Sequence, residues 1–177
     1  MRLNKKGFTL VELLAAMVIL AVIMVIAVPN IMGILTNSRA NTYVEDAKKL
    51  LSLAEYQFRG HPELRPAKNA CIVMTLKYLD NSELKNAPNN GEYDQTNSYV
   101  LVVNKPESGK NKYVYYVTLD EKLDNGTHRG IASKSYDQLY GEEASDLVVN
   151  GSGTNVLATA SSITGSVGCS SGITKTY

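Results

Sequence analysis

The sequence predicts an α+β protein: a long N-terminal α-helix, half membrane span and half amphipathic, packed on a small antiparallel β-sheet. Three observations carry this. From Phe8 to Val28 only Thr9 and Glu12 are clearly polar. From Ile31 to Phe58 apolar residues recur at three- and four-residue steps, the period of a helix with one buried face. Two β-rich runs, Tyr99–Val103 and Lys112–Leu119, flank a loop containing Pro106 and Gly109, which reads as a hairpin.

The apolar run comes first. As a helix rising about 1.5 Å per residue, Phe8 to Val28 is roughly 31 Å long, against a hydrocarbon core of ~30 Å. Arg2, Lys5 and Lys6 precede it with no acid among them. That asymmetry keeps the extreme N-terminus cytoplasmic and sends the rest outward. A secretory signal peptide would be shorter and end in a small-residue cleavage site; the one candidate, near Ala27, is followed closely by Pro29. A plain anchor fits the length but leaves Glu12 without a reason, since a carboxylate in a membrane helix is costly and marks function. The bland alternative for Glu12 is snorkelling to the interface.

Lys5-Lys6-Gly7-Phe8-Thr9-Leu10-Val11-Glu12, with Pro29 beyond it, closely resembles the prepilin signature of type IV pilins and pseudopilins. The resemblance covers the first fifty or so residues. It implies residues 1–7 as a leader peptide, cut between Gly7 and Phe8 by a prepilin peptidase on the cytoplasmic side, with N-methylation of the new Phe8 amine. It implies residues 8–29 as the transmembrane and assembly helix, with Glu12 and Pro29 as assembly residues. Cleavage places a cation at Phe8 one turn before the Glu12 anion, and a helix N-terminus favours negative charge. Between subunits, Glu12 is expected to meet a neighbour's amine and fix axial register, because a buried charge without its partner is strongly unfavourable.

The partners implied are identical or related pilin subunits in a homopolymer, the prepilin peptidase and the assembly machinery in the membrane. The location implied is the cytoplasmic membrane as a single-pass protein, then an extracellular filament. Adhesion, motility or surface attachment is the expected role. A pseudopilin of a secretion or DNA-uptake system, and a non-polymerising anchored binding domain, are the alternatives.

Residues 30–60 form the amphipathic half of the helix. Ile31, Ile34, Leu35, Tyr43, Val44, Ala47, Leu50, Leu51, Ala54 and Phe58 make its apolar face, and Arg39, Glu45, Asp46, Lys48, Lys49 and Glu55 the other. Pro29 is expected to kink or loosen the helix, and Gly33 to weaken it. The resemblance also implies local melting before the proline in those members that carry a glycine where this chain has Ala21, so melting and an intact helix both stay open here. Gly60 and Pro62 stop the helix.

Residues 61–177 are expected to be a globular α+β head. Residues 61–97 read as a connecting region, with a short helix from Thr75 to Leu84 turning Leu76, Leu79 and Leu84 inward and a turn at Asn89-Asn90-Gly91. After the hairpin come a turn at Asp124-Asn125-Gly126, a third strand near His128–Ala132 and a short helix near Tyr136–Tyr140. Tyr113 and Tyr115 share one strand face, Val114 and Tyr116 the other, a pattern of core and cross-strand packing. The segment Asn150–Tyr177 is rich in Gly, Ser and Thr. It is either a disordered tail or a cover pinned by Cys169, with Val156, Leu157, Ile163, Val167 and Ile173 favouring order. The exported pair Cys71 and Cys169 is compatible with a disulfide; two free thiols are the alternative.

No enzyme is indicated. Gly168-Cys169-Ser170-Ser171-Gly172 fits G-x-S-x-G by letter, but no His or acid follows it, as that motif needs. His61 and His128 form no H-E-x-x-H, and no C-x-x-C exists, so neither a metal nor a cofactor is expected. Asp120–Gly126 fails calcium-loop spacing at Leu123. Asn125-Gly126-Thr127 and Asn150-Gly151-Ser152 are glycosylation sequons by letter and read more simply as turns. Over the full chain 18 Lys+Arg stand against 17 Asp+Glu, and no basic excess gathers past the N-terminus, so the head offers no electrostatic case for nucleic acid.

Overall fold

The computed structural model describes residues 8–79, 84–152 and 160–177. The chain divides into two compact units, Met1–Ser38 and Arg39–Tyr177. One helix, α1 (Leu10–Gly60), contributes to both. Its helical pattern runs unbroken through Pro29 and Gly33. Just past the proline, Asn30 Nδ2 donates to the Ile26 carbonyl at 3.1 Å.

In the first unit every large apolar side chain from Phe8 to Leu35 is exposed, with Val25 at 75 % and Ile34 at 71 %. In the second unit α1 buries Ala40, Tyr43, Val44, Ala47, Leu50, Leu51, Ala54 and Phe58. Alanines at 40, 47 and 54 recur every two turns on this buried face. Ile31, Ile34 and Leu35 continue the expected stripe in sequence, yet burial begins only at Ala40.

The rest of the head follows in chain order: a 3-10 turn at Pro62–Leu64, β1 (Cys71–Thr75), α2 (Leu76–Leu79), β2 (Glu92–Tyr93), β3 (Tyr99–Asn104), β4 (Tyr113–Lys122) and β5 (Thr127–Ser135). Then come α3 (Tyr136–Gly141), α4 (Ala144–Leu147), β6 (Val148–Ser152), α5 (Ala160–Ile163) and β7 (Ile173–Thr176). The sheet order is β6-β5-β4-β3-β1-β7, with β2 paired to β4 beside it. Every pair is antiparallel except β1–β7, which is parallel. The sheet is therefore mixed, mostly antiparallel, within the expected α+β class.

The expected hairpin is β3–β4, in the register Leu101↔Tyr116. The third strand is β5, and α3 is the short helix after it. Ser135 caps α3 in a reciprocal capping box with Gln138. Two expectations need correcting. The connecting region 61–97 contains β1, which lies between β3 and β7. Cys-Ile-Val-Met-Thr is buried at every position, and a short strand covered on both faces shows no alternation to read. Thr75 ends that strand rather than starting a helix, and α2 is one turn long. Leu76, Leu79 and Leu84 are buried as expected; the intervening 80–83 lie outside the described residues.

Both sheet faces are covered. Ile72, Met74, Val100 and Val102 join the α1 side chains in one core cluster. Val73, Leu101 and Val103 point the opposite way and join Ile163, Val167 and Cys169 in a second. The C-terminal segment is thus an ordered cover over residues 160–177, and Val156 and Leu157 lie outside the described residues. At the β4–β5 crossing Gly130 has φ 157°, and a Cβ there would sit 1.9 Å from the Leu119 carbonyl oxygen. Gly130→Ala is expected to cost about 3 kcal/mol or more, since the strands must separate. Urea unfolding of the head measures this.

Candidate assembly site

Phe8 and Thr9 stand just before α1, with Phe8 88 % exposed. A helix start leaves its first N–H groups without intrahelical partners. Thr9 and Glu12 meet that demand reciprocally. The Glu12 amide donates to Thr9 Oγ1 at 3.3 Å. The Thr9 amide and the Thr9 hydroxyl both donate to Glu12 Oε2 at 2.9 Å. This is a capping box, and its sequence signal, Thr-x-x-Glu ahead of an apolar run, stood in plain view. Glu12 is therefore held by the start of its own helix. Both Thr9 bonds reach the same oxygen. Among the described residues Oε1 accepts no hydrogen bond.

Of the other expected processing and assembly residues, Gly7 lies outside the described residues. Pro29 sits within α1, nearly five turns after Glu12. The helix is long and apolar enough to cross a membrane by length and composition. The structure does not bring Pro29 and Glu12 together.

Cys71 and Cys169 form a disulfide with S–S 2.00 Å and Cα–Cα 5.8 Å, ordinary disulfide geometry. Cys71 opens β1, and Cys169 lies in the turns between α5 and β7. The same bond disposes of the G-x-S-x-G match. Its five residues form turns around a buried cystine, with Gly168 and Gly172 at φ 80° and 77°, not the strand–turn–helix the motif needs.

Other polar residues singled out in the sequence have structural partners. His128 Nδ1 faces Asp120 at 2.8 Å, and His61 faces Glu63 at 2.7 Å. Among the described residues no group of three or more His, Cys, Asp or Glu could hold a metal. Asn125 Oδ1 accepts from the Thr127 amide and hydroxyl at 3.0 and 2.6 Å, closing the β4–β5 turn, while Asn150–Ser152 lies in β6. Phe58 packs edge-on against Tyr113 and Tyr115, so those tyrosines serve the core.

One feature of the head was not legible in sequence. Two successive turns of α1 are bolted to the sheet by polar contacts. Tyr43 hydrogen-bonds the fully buried Glu121. Glu121 also accepts from the Gly91 amide at 2.9 Å and from Asn89 at 3.2 Å. One turn on, the Tyr93 hydroxyl donates to Asp46 at 2.8 Å. Burial pushes the carboxyls of Glu121, Asp46 and Asp120 above the ordinary carboxylate range. A raised folded-state value means the folded head binds more protons than the unfolded chain between about 4 and that value. Stability gained from these groups rises as pH falls from neutrality through that window. Glu107 and Glu142, lowered by Lys112 and Lys134, lose their smaller contribution only below it. The head is expected to melt at a higher temperature at pH 5 than at pH 7, which a pair of thermal scans checks.

Residues 2–28 match the prokaryotic N-terminal methylation motif, which is typical of type IV pilins and pseudopilins. Comparison with curated proteins and with solved structures gives no match. That motif stands on a long apolar helix in a chain that also carries a mostly antiparallel sheet, a pilin-like α+β arrangement. Pilin-like proteins are structural rather than enzymatic. The motif implies processing by prepilin peptidase and points to the membrane first and the surface afterwards.

Proposed function

We propose that this chain is a structural subunit of a bacterial type IV pilus, as a major or minor pilin serving adhesion, motility or surface attachment. The observation that carries it is the methylation motif over residues 2–28 continuing into a helix whose apolar side chains are exposed as far as Leu35. Residues 1–7 act as leader, 8–29 as membrane and assembly helix, 30–60 as the amphipathic half, and 61–177 as the head. The peptidase cuts between Gly7 and Phe8, and the Phe8 amine is then methylated. Removal of Arg2, Lys5 and Lys6 turns the formal net charge of +1 negative.

Before assembly the subunit crosses the cytoplasmic membrane once, N-terminus inside, with lipid covering the apolar helix. In the filament, helices of other subunits replace that lipid and the heads form the outer surface. Glu12 meets a neighbour's Phe8 amine and sets the axial register. The test is mass spectrometry of the subunit from sheared surface filaments. The expected N-terminus is methylated Phe8. A mature chain starting near Asn30, or a processed chain never found in filaments when expressed at its natural level, overturns the proposal. Filaments formed only with an overproduced secretion system would favour the pseudopilin role.

A further inference from the structure

We propose that the heads of adjoining subunits meet end to end, with the β3–β4 hairpin of one copy seated in the cleft between β2 and the β4–β5 turn of the next. This rests on the assembly reading above and adds to it a contact between heads. The observation is that one strand, β4, carries opposite charge at its two ends, with a projection at one and a hollow at the other. At the hairpin end, within residues 105–112, Lys105, Lys110 and Lys112 stand against one acid, Glu107. At the far end, where Glu92 of β2 lies opposite Lys122, there is a cleft of about 580 Å³. Three carboxylates, Glu92, Asp94 and Asp124, line it with the ammonium of Lys122.

Both parts are preformed. Glu107 and Lys110 exchange backbone hydrogen bonds at 2.9 and 3.0 Å, with Ser108 and Gly109 between them at φ 50° and 78°. That is a two-residue hairpin turn with both central φ values positive, a narrow end to a β-ribbon. Lys112 is taken up by Glu107 at 2.6 Å, and Lys105 donates to the Tyr116 hydroxyl at 2.8 Å. Lys110 is exposed, and among the described residues its ammonium has no partner. The cleft is fixed on both walls. Glu121 holds the Asn89 side chain and the Gly91 amide, and the Asp94 amide donates to the Asp120 carbonyl at 2.7 Å. Opposite them, Asn125 accepts from the Thr127 amide and hydroxyl. Within the cleft, the Asp94 carboxylate is hydrogen-bonded by neutral donors of Thr96 and Asn97, and Lys85 approaches Glu92 at 3.7 Å. Asp124 is exposed, and its carboxylate has no partner among the described residues. It is the acceptor that Lys110 meets.

The two halves cannot meet within one chain. From Lys110 to Lys122 the extended chain covers on the order of 40 Å. They meet only between copies, and because they lie at opposite ends the contact is heterologous: each head gives a hairpin to one neighbour and receives one from another. A contact of that kind that does not close into a ring propagates as a helical filament. An exposed ion pair is a weak bond, at most about fivefold in an equilibrium constant. In a filament the packed helices already hold the heads side by side, so the pairing is nearly intramolecular and effective concentration makes up for the weakness. Neither part has to be ordered on contact, which removes the usual entropic cost. The contact therefore chooses how heads align more than it drives them together, since a head turned end for end would set lysines against lysines.

Carbodiimide coupling of native surface filaments tests this directly, because it joins an ammonium to a carboxylate only where the two touch. Mass spectrometry is expected to find Lys110 joined to Asp124, Glu92 or Asp94 in filaments, and not in subunits dispersed in detergent micelles. Filaments without that link overturn the contact. Charge reversal is the second measurement. Lys110→Glu and Asp124→Lys, each as sole subunit, are expected to lower the yield of sheared filaments about fivefold or more, since each turns attraction into repulsion. The double reversal is expected to restore the yield to within about twofold of native. Full-length variants in micelles should melt close to the native chain, because both side chains are exposed surface positions. Native yield from both single reversals overturns the contact, and so does a double variant no better than the singles. A native chain that builds no filaments overturns the assembly reading itself, and this contact with it.

Discussion

Glu12→Ala, expressed as the sole subunit, is expected to give processed, membrane-resident protein and no filaments. Its processing should survive because position 12 lies beyond the proposed cut. Its insertion should survive because losing a charge makes the helix more apolar, removing a cost of up to a few kcal/mol. Assembly fails for a separate reason. In the proposed filament, loss of the carboxylate would leave each neighbour's Phe8 amine in a low-dielectric core with nothing opposite it. Breaking a buried pair by deleting one partner costs about 3–5 kcal/mol, and the loss repeats at every subunit of the polymer.

The capping box adds a smaller effect. The Thr9 amide and hydroxyl lose their acceptor, worth about 1 kcal/mol at an N-cap, so the first turn of α1 frays. That part alone would weaken the helix start without abolishing filaments. Membrane fractionation with electron microscopy of sheared material decides the matter. Normal filaments would leave Glu12 with only its cap. Loss of incorporation only when native subunits are absent would mark a minor subunit whose neighbours supply the register.

The helix and the hairpin were readable because each repeats a period. Seven of the apolar positions expected on the amphipathic half, Tyr43 through Phe58, are buried in α1. Tyr99–Val103 shows no alternation, yet its β-branched content and the Pro/Gly loop after it were enough. β1 escaped because its five residues are buried throughout, and a run that short carries no period at all. Ile31, Ile34 and Leu35 keep the apolar period yet are exposed. Periodicity reports which face is apolar and is silent on what covers it. The parallel pairing of β7 with β1 is silent in sequence for another reason: it joins segments a hundred residues apart, and nothing local encodes that. At the candidate site, Glu12 was legible as a costly charge in an apolar run, and its bond from Thr9 only as the two letters of Thr-x-x-Glu. The Tyr43–Glu121 contact had no signal beyond two polar residues in regular elements.

Reducing the Cys71–Cys169 bond, or replacing both cysteines by serine, is expected to release the C-terminal cover while leaving the α1 side of the head folded. The two residues are 98 apart in sequence. For a loop of that size, constraint of the unfolded chain is worth ~4.7 kcal/mol in the chain-entropy account, within the 2–5 kcal/mol commonly lost with a native disulfide. That is a large share of the 5–15 kcal/mol available to an ordinary domain. The damage should be local first. What the bond pins is a short helix, a run of turns and one edge strand. Beyond the bond, the segment holds on by Ile163 and Val167 in the second core cluster and by the parallel pairing of β7 with β1. The opposite face is built mostly from other segments: Leu50, Leu51, Met74 and Val102 pack there with the helix, and Tyr177 joins them from the chain's end. Limited proteolysis of the reduced head should therefore cut first within 160–177, and an apolar dye should bind the uncovered Val73, Leu101 and Val103. Helical circular dichroism should change little. The melting temperature should fall by ten degrees or so, at roughly 2–4 °C per kcal/mol for a chain of this size. Two titratable thiols in the native, unreduced protein would contradict the pairing, and unchanged protease resistance after reduction would show that the cover holds without it.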